Sequence, residues 1–339
     1  MGETQTPARS MVVLAFLAIY IIWGSTYLAI RYAVETIPPF LMAGVRFLVA
    51  GSAMYAFVRL RNPERPTLAH WRTTAIIAAL LLLGGNGAVV WAEQHLTSSM
   101  TVLLVTTVSL WMVLLNWARR DGVRPGIFEV AGIALGIGGV AFLVGAGGFS
   151  GSDGIHPGGV IALLFGALSW AVGSIYSRHA PLPMSPFLAT AMEMLIGGAL
   201  LTLAGLIAGE GSRIEFAQFS TRSVVSLGYL IVFGSFIGFT AYIWLLGVTT
   251  PAKVSTYAFV NPVIAVVLGC TLGGEPFSLR MLVSGVVIVA GVLLITMHRI
   301  KVAASPRTAG TPSETHRNVE AVAPLVEAAE MDTAAHERL

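Results

Sequence analysis

The chain has 339 residues, of which 55% are hydrophobic and only 11% are charged, and its mean hydropathy is +0.80. Soluble domains carry about 25% charged residues, so this composition excludes a soluble globular protein and predicts an integral membrane protein. The net charge of +3 could suggest a nucleic-acid partner, but the positions of the basic residues explain it differently. The single cysteine, Cys270, excludes a disulfide within the chain.

Ten apolar runs are long enough to cross about 30 Å of hydrocarbon as helices. They cover approximately residues 11–30, 40–58, 73–91, 98–118, 127–145, 158–177, 186–208, 223–246, 252–272 and 279–297. Backbone groups in lipid must be paired within their own segment, so runs of this length indicate helices rather than barrel strands. The predicted fold class is an all-α polytopic membrane protein. A polar tail is expected at residues 1–10, and a disordered tail at residues 302–339.

Lysine and arginine are distributed unequally between the two sides of the membrane. With the N-terminus in the cytoplasm, fifteen of these residues fall in the inner segments and four in the outer ones, while Arg46 lies within a span. Basic residues favour the cytoplasmic side. The sequence therefore predicts a multi-pass protein with both termini in the cytoplasm, and the basic balance requires no nucleic acid.

The chain also contains a duplication. A shift of 147 positions aligns residues 23–51 with residues 170–198 and gives eight identities in 29 positions, where apolar composition alone would give roughly three. A shift of 152 continues the match farther along, for example from Thr97 to Thr249. The two repeats are predicted at residues 11–145 and 158–297. Because each holds five spans, an odd number, the second repeat must enter from the opposite face, which gives an inverted repeat and favours alternating access.

Six sequence blocks carry a resemblance to a known family. They are WGSTYLAIR, PPFLMAGVRFLVAG, GGNGAVVWAEQH, LSWAVGSIYSR, AMEMLIGGAL and STYAFVNPVIAVVLGCTLGGEP. Over roughly residues 11–297 the chain resembles the EamA family of the drug/metabolite transporter superfamily. The resemblance implies ten helices in two inverted five-helix halves, a central cavity and export of small metabolites or amino acids. Small multidrug exporters of this superfamily couple to protons through a glutamate in their first helix, but neither the first nor the sixth span here holds an acid.

Ionisable residues inside a bilayer are candidate functional residues by default. Arg46 lies seven residues into the second span, and its duplicate position is Glu193, the only acid well inside a span. Glu193 is the best candidate for proton coupling, with local bonding to a serine or a backbone group as the alternative. For Arg46 the alternative to a coupling or gating role is snorkelling toward the outer headgroups. Glu93 ends the third span, where a solvated interface competes with a gating role.

Two spans have a weakened backbone near the middle of the membrane. A glycine-rich stretch containing Asn86 is expected to interrupt the third span, and Asn261 with the proline after it the ninth, because proline offers no N–H to the carbonyl of Ala258. Interrupted helices at this depth commonly mark transporter sites, although tight packing of small residues is the alternative. The candidate helix breaks are Gly84, Gly85, Gly87 and Pro262.

Aromatic and polar side chains at similar depth predict the wall of a substrate cavity, with packing inside the bundle as the alternative. Trp23 and Trp170 occupy duplicate positions, and we expect both to converge with Asn86 and Asn261 on one cavity between the halves. The full predicted lining is Trp23, Tyr27, Asn86, Trp111, Trp170, Ser174, Tyr242, Tyr257 and Asn261.

Motifs for enzyme activity are absent from the sequence. It holds no Walker A motif and no cluster of histidine, cysteine and acid with metal-ligand spacing, so we predict neither an enzyme nor a cofactor or metal.

The predicted function is secondary transport, in the export direction, of a small organic metabolite such as an amino acid across the bacterial inner membrane. Its partners are that substrate and the lipid bilayer, while protons and a monomer or homodimer stay open. A membrane-embedded enzyme or scramblase acting on lipid-linked substrates, or a channel, is the alternative.

Overall fold

The computed structural model describes residues 8–61, 64–119, 124–148, 155–249, 251–254 and 256–304. Every regular element in these ranges is helical. In chain order the helices are α1 (Arg9–Ala33), α2 (Pro39–Arg61), α3 (Leu68–Ala92), α4 (Ser98–Ala118), α5 (Ile127–Gly148), α6 (Pro157–Ser177), α7 (Pro186–Ile207), α8 (Thr221–Val248), α9 (Pro251–Val254 and Tyr257–Thr271) and α10 (Leu279–Ala304). Two short 3₁₀ turns, Glu210–Arg213 and Phe216–Gln218, lie between α7 and α8.

The helices agree with the ten predicted spans to within a few residues. Nine of those in the described ranges are long and apolar enough to cross a membrane, and the Tyr257–Thr271 part of α9 is a shorter apolar helix. The last helix continues to Ala304, so residues 302–304 of the predicted tail are helical. The rest of that tail, 305–339, lies outside the described residues. The all-α polytopic fold is confirmed.

Apolar side chains cover both the interior and the outer surface of the bundle. Phe47, Met42 and Leu201 are fully buried in a core cluster that joins α1, α2, α3, α7 and α8. Many large apolar side chains nevertheless point outward, among them Leu14 of α1 and Phe165 of α6. An apolar exterior of this extent suits hydrocarbon rather than water.

The duplicate helices α2 and α7 run antiparallel and approach closely. A Cβ added to Gly44 would lie 3.1 Å from the carbonyl oxygen of Gly198, and one added to Gly51 would lie 2.8 Å from Cβ of Met194. Rising residue numbers on α2 therefore meet falling numbers on α7. Glycines at these positions allow the two backbones to come together. The opposite directions of two duplicate helices are what an inverted repeat requires.

At each end of this helix pair, a carboxylate caps the N-terminus of one helix. We refer to the end of the bundle where α1 begins as the N-terminal face, and to the opposite end as the far face. On the far face, Glu210 accepts hydrogen bonds from the N–H groups of Phe40 and Leu41, at 3.2 and 2.9 Å, at the start of α2. On the N-terminal face, Glu64 accepts from Met184 and Ser185, at 2.8 and 3.1 Å, just before α7. Each acid follows one helix and caps its duplicate, which is favourable because helix N-termini carry free N–H groups and partial positive charge.

The weakened stretch of α3 is a π-helical segment rather than an interruption. The segment covers Ala79–Asn86, and a second one, of equal length, covers Leu230–Ile237 in α8. These are the third helices of the two predicted repeats. At the glycines that the sequence predicts to interrupt this helix, the α-helical hydrogen-bond pattern gives way to a wider π turn, which keeps the helix continuous. Such segments occur often at functional sites.

The fourth helix of each predicted repeat is discontinuous, and α5 has a kink at Gly145, whose φ is 67°. α4 is interrupted by a turn at Thr106 and Thr107, between Ser98–Val105 and Val108–Ala118, and α9 begins anew at Tyr257. The predicted break at Asn261 and Pro262 was wrong. Pro262 is the sixth residue of a helix that continues to Thr271, and the carbonyl of Ala258 is the only helical acceptor that it leaves without its usual donor.

Candidate substrate-binding site

Trp23 of α1 joins the π segment of α8 to an aromatic cluster. Its Nε1 donates a hydrogen bond to the carbonyl oxygen of Gly234, at 3.2 Å. Its ring centroid lies 5.2 Å from that of Tyr242, 5.1 Å from that of Tyr257 and 5.4 Å from that of Phe239. The altered register of a π turn frees carbonyl oxygens for side-chain donors, and the indole takes one of them. Trp23, Tyr242 and Tyr257 therefore lie together, as the sequence predicts.

A matching arrangement joins α6 to the π segment of α3. The hydroxyl of Ser169 donates to the carbonyl oxygen of Leu80 at 2.7 Å. The next residue, Trp170, lies against Gly85, where an added Cβ would be 2.7 Å from the ring atom Cε3. Glycine is required at position 85 because any side chain would collide with the indole.

The two tryptophans thus make equivalent contacts. A Cβ on Gly238, the first residue after the π segment of α8, would lie 2.5 Å from Nε1 of Trp23. In both cases the first helix of one repeat rests its tryptophan on a glycine in or beside the π segment of the other repeat's third helix. The convergence of these two contacts on one central cavity stays a prediction.

The two predicted asparagines differ in their bonding. The side-chain amide of Asn261 donates to the carbonyl oxygens of Tyr20 and Tyr257, each at 3.2 Å, and so ties α9 to α1. The Oδ1 atom of Asn86 is buried and has no hydrogen-bond partner among the described residues. The Asn261 amide is thus bonded within the protein, whereas the buried acceptor of Asn86 is unsatisfied among the described residues.

Arg46 is buried inside the bundle rather than extended toward headgroups. Its side chain is only 4% exposed, and its Nε donates to Oγ of Ser235, in the π segment of α8, at 2.9 Å. The snorkelling alternative was wrong. A serine 189 residues farther along the chain provides a partner that a reading of α2 by itself does not show.

Glu93 is also buried, with an exposed fraction of 3%. Its end-of-helix position favoured a solvated interface, and that expectation was wrong: α2 and α6 pack against this last part of α3. Neither carboxylate oxygen has a hydrogen-bond partner in the described part of the chain. Tyr27 and Arg46 both lie within electrostatic range of it.

Glu275, which the sequence analysis missed, organises the far face beside Glu93. Its carboxylate accepts from the backbone N–H groups of Ser98 and Ser99, at 2.7 and 3.0 Å, from both serine hydroxyls, and from Arg31, with which it forms an ion pair. Burial alone would raise the pKa of Glu275, but the four hydrogen bonds from the serines outweigh it and hold the pKa below its ordinary value. One side chain thereby joins α1, α4 and the α9–α10 connection.

Glu193 lies on α7 near the aromatic cluster, and it is partly exposed. Together with Arg178 it acts electrostatically on Tyr242. Trp111 of α4 has a buried Nε1 without a partner among the described residues. The members of the predicted lining that are likewise partly exposed are Trp23, Tyr27, Asn86, Trp111, Trp170, Ser174, Tyr242 and Tyr257.

A surface pocket of about 260 Å³ opens on the far face, away from the aromatic cluster. Its lining comprises Val34, Glu35, Thr36, Ile37, Pro38, Pro39, Gln94, Glu210, Arg213 and Gln218. It adjoins Glu93 only through the neighbouring Gln94. None of the predicted cavity residues lines it, so it is not the predicted site. Within the described ranges, no group of three or more histidine, cysteine or acidic residues is placed to hold a metal ion.

A bundle of apolar helices with matched interior contacts and buried charges is the architecture of a polytopic membrane transporter. The chain belongs to the EamA-like transporter family, whose sequence pattern matches residues 10–145 and again residues 157–297. The double match agrees in position with the predicted repeats. The family identifies the chain as a membrane transporter of the drug/metabolite type and indicates a transporter rather than an enzyme.

Similar proteins bear transporter names. The chain is 42% identical over 294 residues, 86% of this chain and 92% of the other, to an Escherichia coli (strain K12) protein described as the uncharacterized inner membrane transporter YedA. It is 25% identical over 315 residues, 87% of this chain and 97% of the other, to a probable amino-acid metabolite efflux pump of Salmonella typhimurium. A solved crystal structure with 20% identity covers 86% of this chain and 99% of its own, with a TM-score of 0.56, and supports the fold alone.

Proposed function

We propose that the chain is a secondary transporter that exports a small organic metabolite across the bacterial inner membrane by alternating access. The observation that carries the proposal is the matched pair of contacts made by Trp23 and Trp170 on π segments of opposite repeats. The two contacts occupy matching positions in the two repeats but differ in geometry. If the repeats exchange these geometries, the interior opens to one side of the membrane and closes to the other.

The chemistry of the interior supports an amphipathic substrate such as an amino acid. The aromatic rings around Trp23 offer apolar surface, while Asn86 and the buried charges offer polar partners. Ligand sites commonly combine an apolar wall with a few fixed polar groups. The relative named as a probable amino-acid metabolite efflux pump supports the same class of substrate and the export direction.

Exchange across a membrane is the direct test of this function. The protein is reconstituted in proteoliposomes loaded with a metabolite extract, and saturable counterflow of individual compounds is followed by mass spectrometry. Trp23→Ala and Trp170→Ala should each slow counterflow about tenfold or more, because losing a cavity wall loosens substrate fit. Trp117→Ala is the matched control, since Trp117 is 51% exposed on the bundle surface and should not affect the rate. Absence of saturable counterflow for every metabolite would contradict the proposal.

Glu193 is our candidate for proton coupling, because it is an acid well inside a span and partly exposed beside Tyr242. We expect Glu193→Gln to abolish uphill transport driven by a pH gradient while leaving downhill exchange at close to the wild-type rate. Both rates are measured in the same proteoliposomes, with and without the gradient. An equal loss of both would assign Glu193 to structure, and no loss of either would remove it from coupling.

The charge asymmetry supports an orientation in which the N-terminal face and both termini are cytoplasmic. The last turn of α2 carries Arg59 and Arg61 on that face, and the α2–α3 connection carries Arg65. A phosphatase that is active only in the periplasm should therefore stay inactive when fused after Leu339, and become active when inserted between α7 and α8. The reverse pattern would contradict this orientation.

A further inference from the structure

Two histidines stack on the far face, where the end of α3 meets the start of α6. His95 follows the last turn of α3, and His156 directly precedes α6. Their ring centroids are 4.3 Å apart, and the planes of the two rings differ by 16°. Trp91 lies edge-on to both, with its ring centroid 5.1 Å from that of His95 and 6.1 Å from that of His156. The three rings therefore join α3 to α6 at this face.

His156 also caps the N-terminus of α6. Its Nδ1 accepts a hydrogen bond from the backbone N–H of Gly159, at 3.1 Å. This bond requires an Nδ1 without a proton, so neutral His156 carries its ring proton on Nε2. Protonating Nδ1 would remove the acceptor and place a positive charge against the positive end of the helix dipole. The cap is therefore formed only while His156 is neutral.

The stacked rings lie beside an apolar contact between the same two helices. Leu96 is only 6% exposed and belongs to one core cluster with Val160 and Leu163 of α6. A Cβ added to Gly159 would lie 3.0 Å from Cδ1 of Leu96, so the α6 backbone and this leucine are in close contact. Both histidines are exposed. Separation of α3 from α6 at this point would open Leu96 to solvent.

Acid opposes the stacked arrangement. Partial burial and the neighbouring His156 hold the pKa of His95 below its ordinary value of 6.5. Two imidazolium rings at this separation repel each other. The stacked form thus binds a proton on His95 less readily than a form with the rings apart does. A fall in pH therefore shifts the equilibrium toward separation.

Few other charges act on the pair. Among the described residues, His156 is the ionisable group that acts electrostatically on His95. Glu93 lies two residues before His95, but it is buried and is not among the groups that act on that ring. The side chains of α3 and α6 that pack around the pair, such as Trp91, are uncharged. Asp153 lies outside the described residues, so it is included in the test below.

The N-terminal face has no equivalent pair. By the repeat shifts of 152 and 147, the positions that correspond to His95 and His156 are Gly247 and Arg9. Glycine has no side chain to titrate, and arginine stays protonated throughout the range in which histidine titrates. Mild acid therefore acts on this contact at the far face and not on its duplicate.

We propose that His95 and His156 form a pH-sensitive latch, which holds α3 against α6 at the far face while both rings are neutral and releases them in acid. Trp170 and Gly85 join the same two helices deeper in the bundle. In the proposed orientation, acid outside the cytoplasm would favour the form that is open to that side. This consequence for transport rests on the proposed function, whereas the latch itself needs no substrate and is tested without one.

The test measures the opening of the contact at a cysteine beneath the rings. Leu96→Cys is made in full-length protein that also carries Cys270→Ser, and its rate of labelling by a maleimide is measured in detergent at pH 7.5 and 5.5. The same rate is measured with His95→Gln and His156→Asn added, because the asparagine oxygen can still accept from Gly159. Dividing the two rates at each pH cancels the titration of the thiol. The ratio should rise about tenfold between pH 7.5 and 5.5, because a released His95 is about ten to one protonated one unit below its ordinary pKa.

Thermal unfolding gives a second readout, which needs no cysteine and decides the matter if Leu96→Cys fails to fold. The folded protein binds a proton on His95 less readily than the unfolded chain does. The stabilisation by the neutral pair is therefore complete above pH 6.5 and is lost as the pH falls through the folded-state pKa. The Tm of wild type minus that of His95→Gln with His156→Asn should be constant above pH 7.5 and smaller at pH 5.5.

Two single substitutions serve as controls. His179→Gln changes an exposed histidine on the N-terminal face, whose ring lies 3.3 Å from the carbonyl oxygen of Ile175, and should leave the labelling response unchanged. Asp153→Asn should also leave it in place. The proposal is overturned if the labelling ratio stays constant between the two pH values, or if Asp153→Asn alone abolishes the response.

The latch and the transport function can fail independently. Saturable counterflow in proteoliposomes together with a constant labelling ratio would remove the latch and leave the transport function standing. A labelling ratio that rises in acid, without counterflow of any metabolite, would leave the latch standing and contradict transport.

Discussion

Glu275→Gln is expected to lower the free energy of unfolding by about 3 kcal/mol, which is the lower limit for breaking a buried ion pair. The lower limit applies because the side chain of Arg31 is 31% exposed and keeps part of its hydration. Glutamine also presents an NH₂ group to Ser98 and Ser99, which are both donors to the present carboxylate. The measurement is thermal unfolding of the purified protein in detergent near pH 7.5.

Glu210→Gln is the matched control for this loss. Glu210 is also a buried carboxylate at a helix start on the far face, where it accepts from two backbone N–H groups. We expect it to cost about 1 kcal/mol. The double variant Arg31→Gln with Glu275→Gln should recover part of the stability, because it leaves no buried charge alone. Equal losses for Glu275→Gln and Glu210→Gln would show that the ion pair with Arg31 contributes nothing.

The stabilisation by Glu275 should disappear in acid. Its folded-state pKa lies below the ordinary value of 4.5, so the folded protein binds this proton less readily than the unfolded chain does. Its contribution is therefore complete above pH 4.5 and is lost as the pH falls through the folded-state pKa. The difference in Tm between wild type and Glu275→Gln should be constant from pH 6 to 8 and shrink below pH 4.5.

The spans of this chain could be predicted because lipid leaves few alternatives. A backbone in hydrocarbon must satisfy its own hydrogen bonds, so the length and apolarity of a run determine both the element and its ends to within a few residues. The grouping of Trp23 with Tyr242 and Tyr257 could also be predicted, from their similar depth in the spans. The depth of a residue in the membrane follows from its position within its own apolar run, which can be counted in the sequence.

The burial of the charged groups could not be predicted in the same way, because their surroundings come from distant segments. Arg46 is held by Ser235, and Glu275 by serines 177 and 176 residues earlier in the chain. The sequence does contain one signal for the helix caps. Glu64 and Glu210 lie 146 positions apart, close to the repeat shift of 147, and a search for acids at the repeat distance would have identified both caps.

The π segments could not be predicted for a different reason. The glycines of α3 suggested a break, since glycine lowers helix stability. In the structure Gly84 and Gly85 instead allow α6 to pack closely against the backbone of α3. Sequence composition signals a weak helix, but whether it breaks, widens or remains regular depends on the neighbour that packs against it.

Gly84→Ala should therefore damage both stability and transport. Its Cβ would lie 2.2 Å from Oγ and 3.0 Å from Cβ of Ser169, so the Ser169 hydroxyl must rotate away and its Cβ must shift by a few tenths of an ångström. Moving Ser169 also breaks its hydrogen bond to Leu80. Overpacking and the lost bond together should cost about 2–4 kcal/mol, and displacement of the adjacent Trp170 should abolish counterflow. Both are measured, as Tm in detergent and as counterflow in proteoliposomes.

Gly138→Ala is the matched control, because the same change on α5 places a Cβ with no atom within 4 Å and should be neutral or slightly stabilising. Combining Gly84→Ala with Ser169→Gly adds a side chain on α3 and removes the one on α6 that it would collide with. The pair should regain part of the stability, although the bond to Leu80 stays lost. If Gly84→Ala behaves like Gly138→Ala, the approach of α6 to the π segment is loose, and the contact of Trp170 with Gly85 cannot transmit movement between the two repeats.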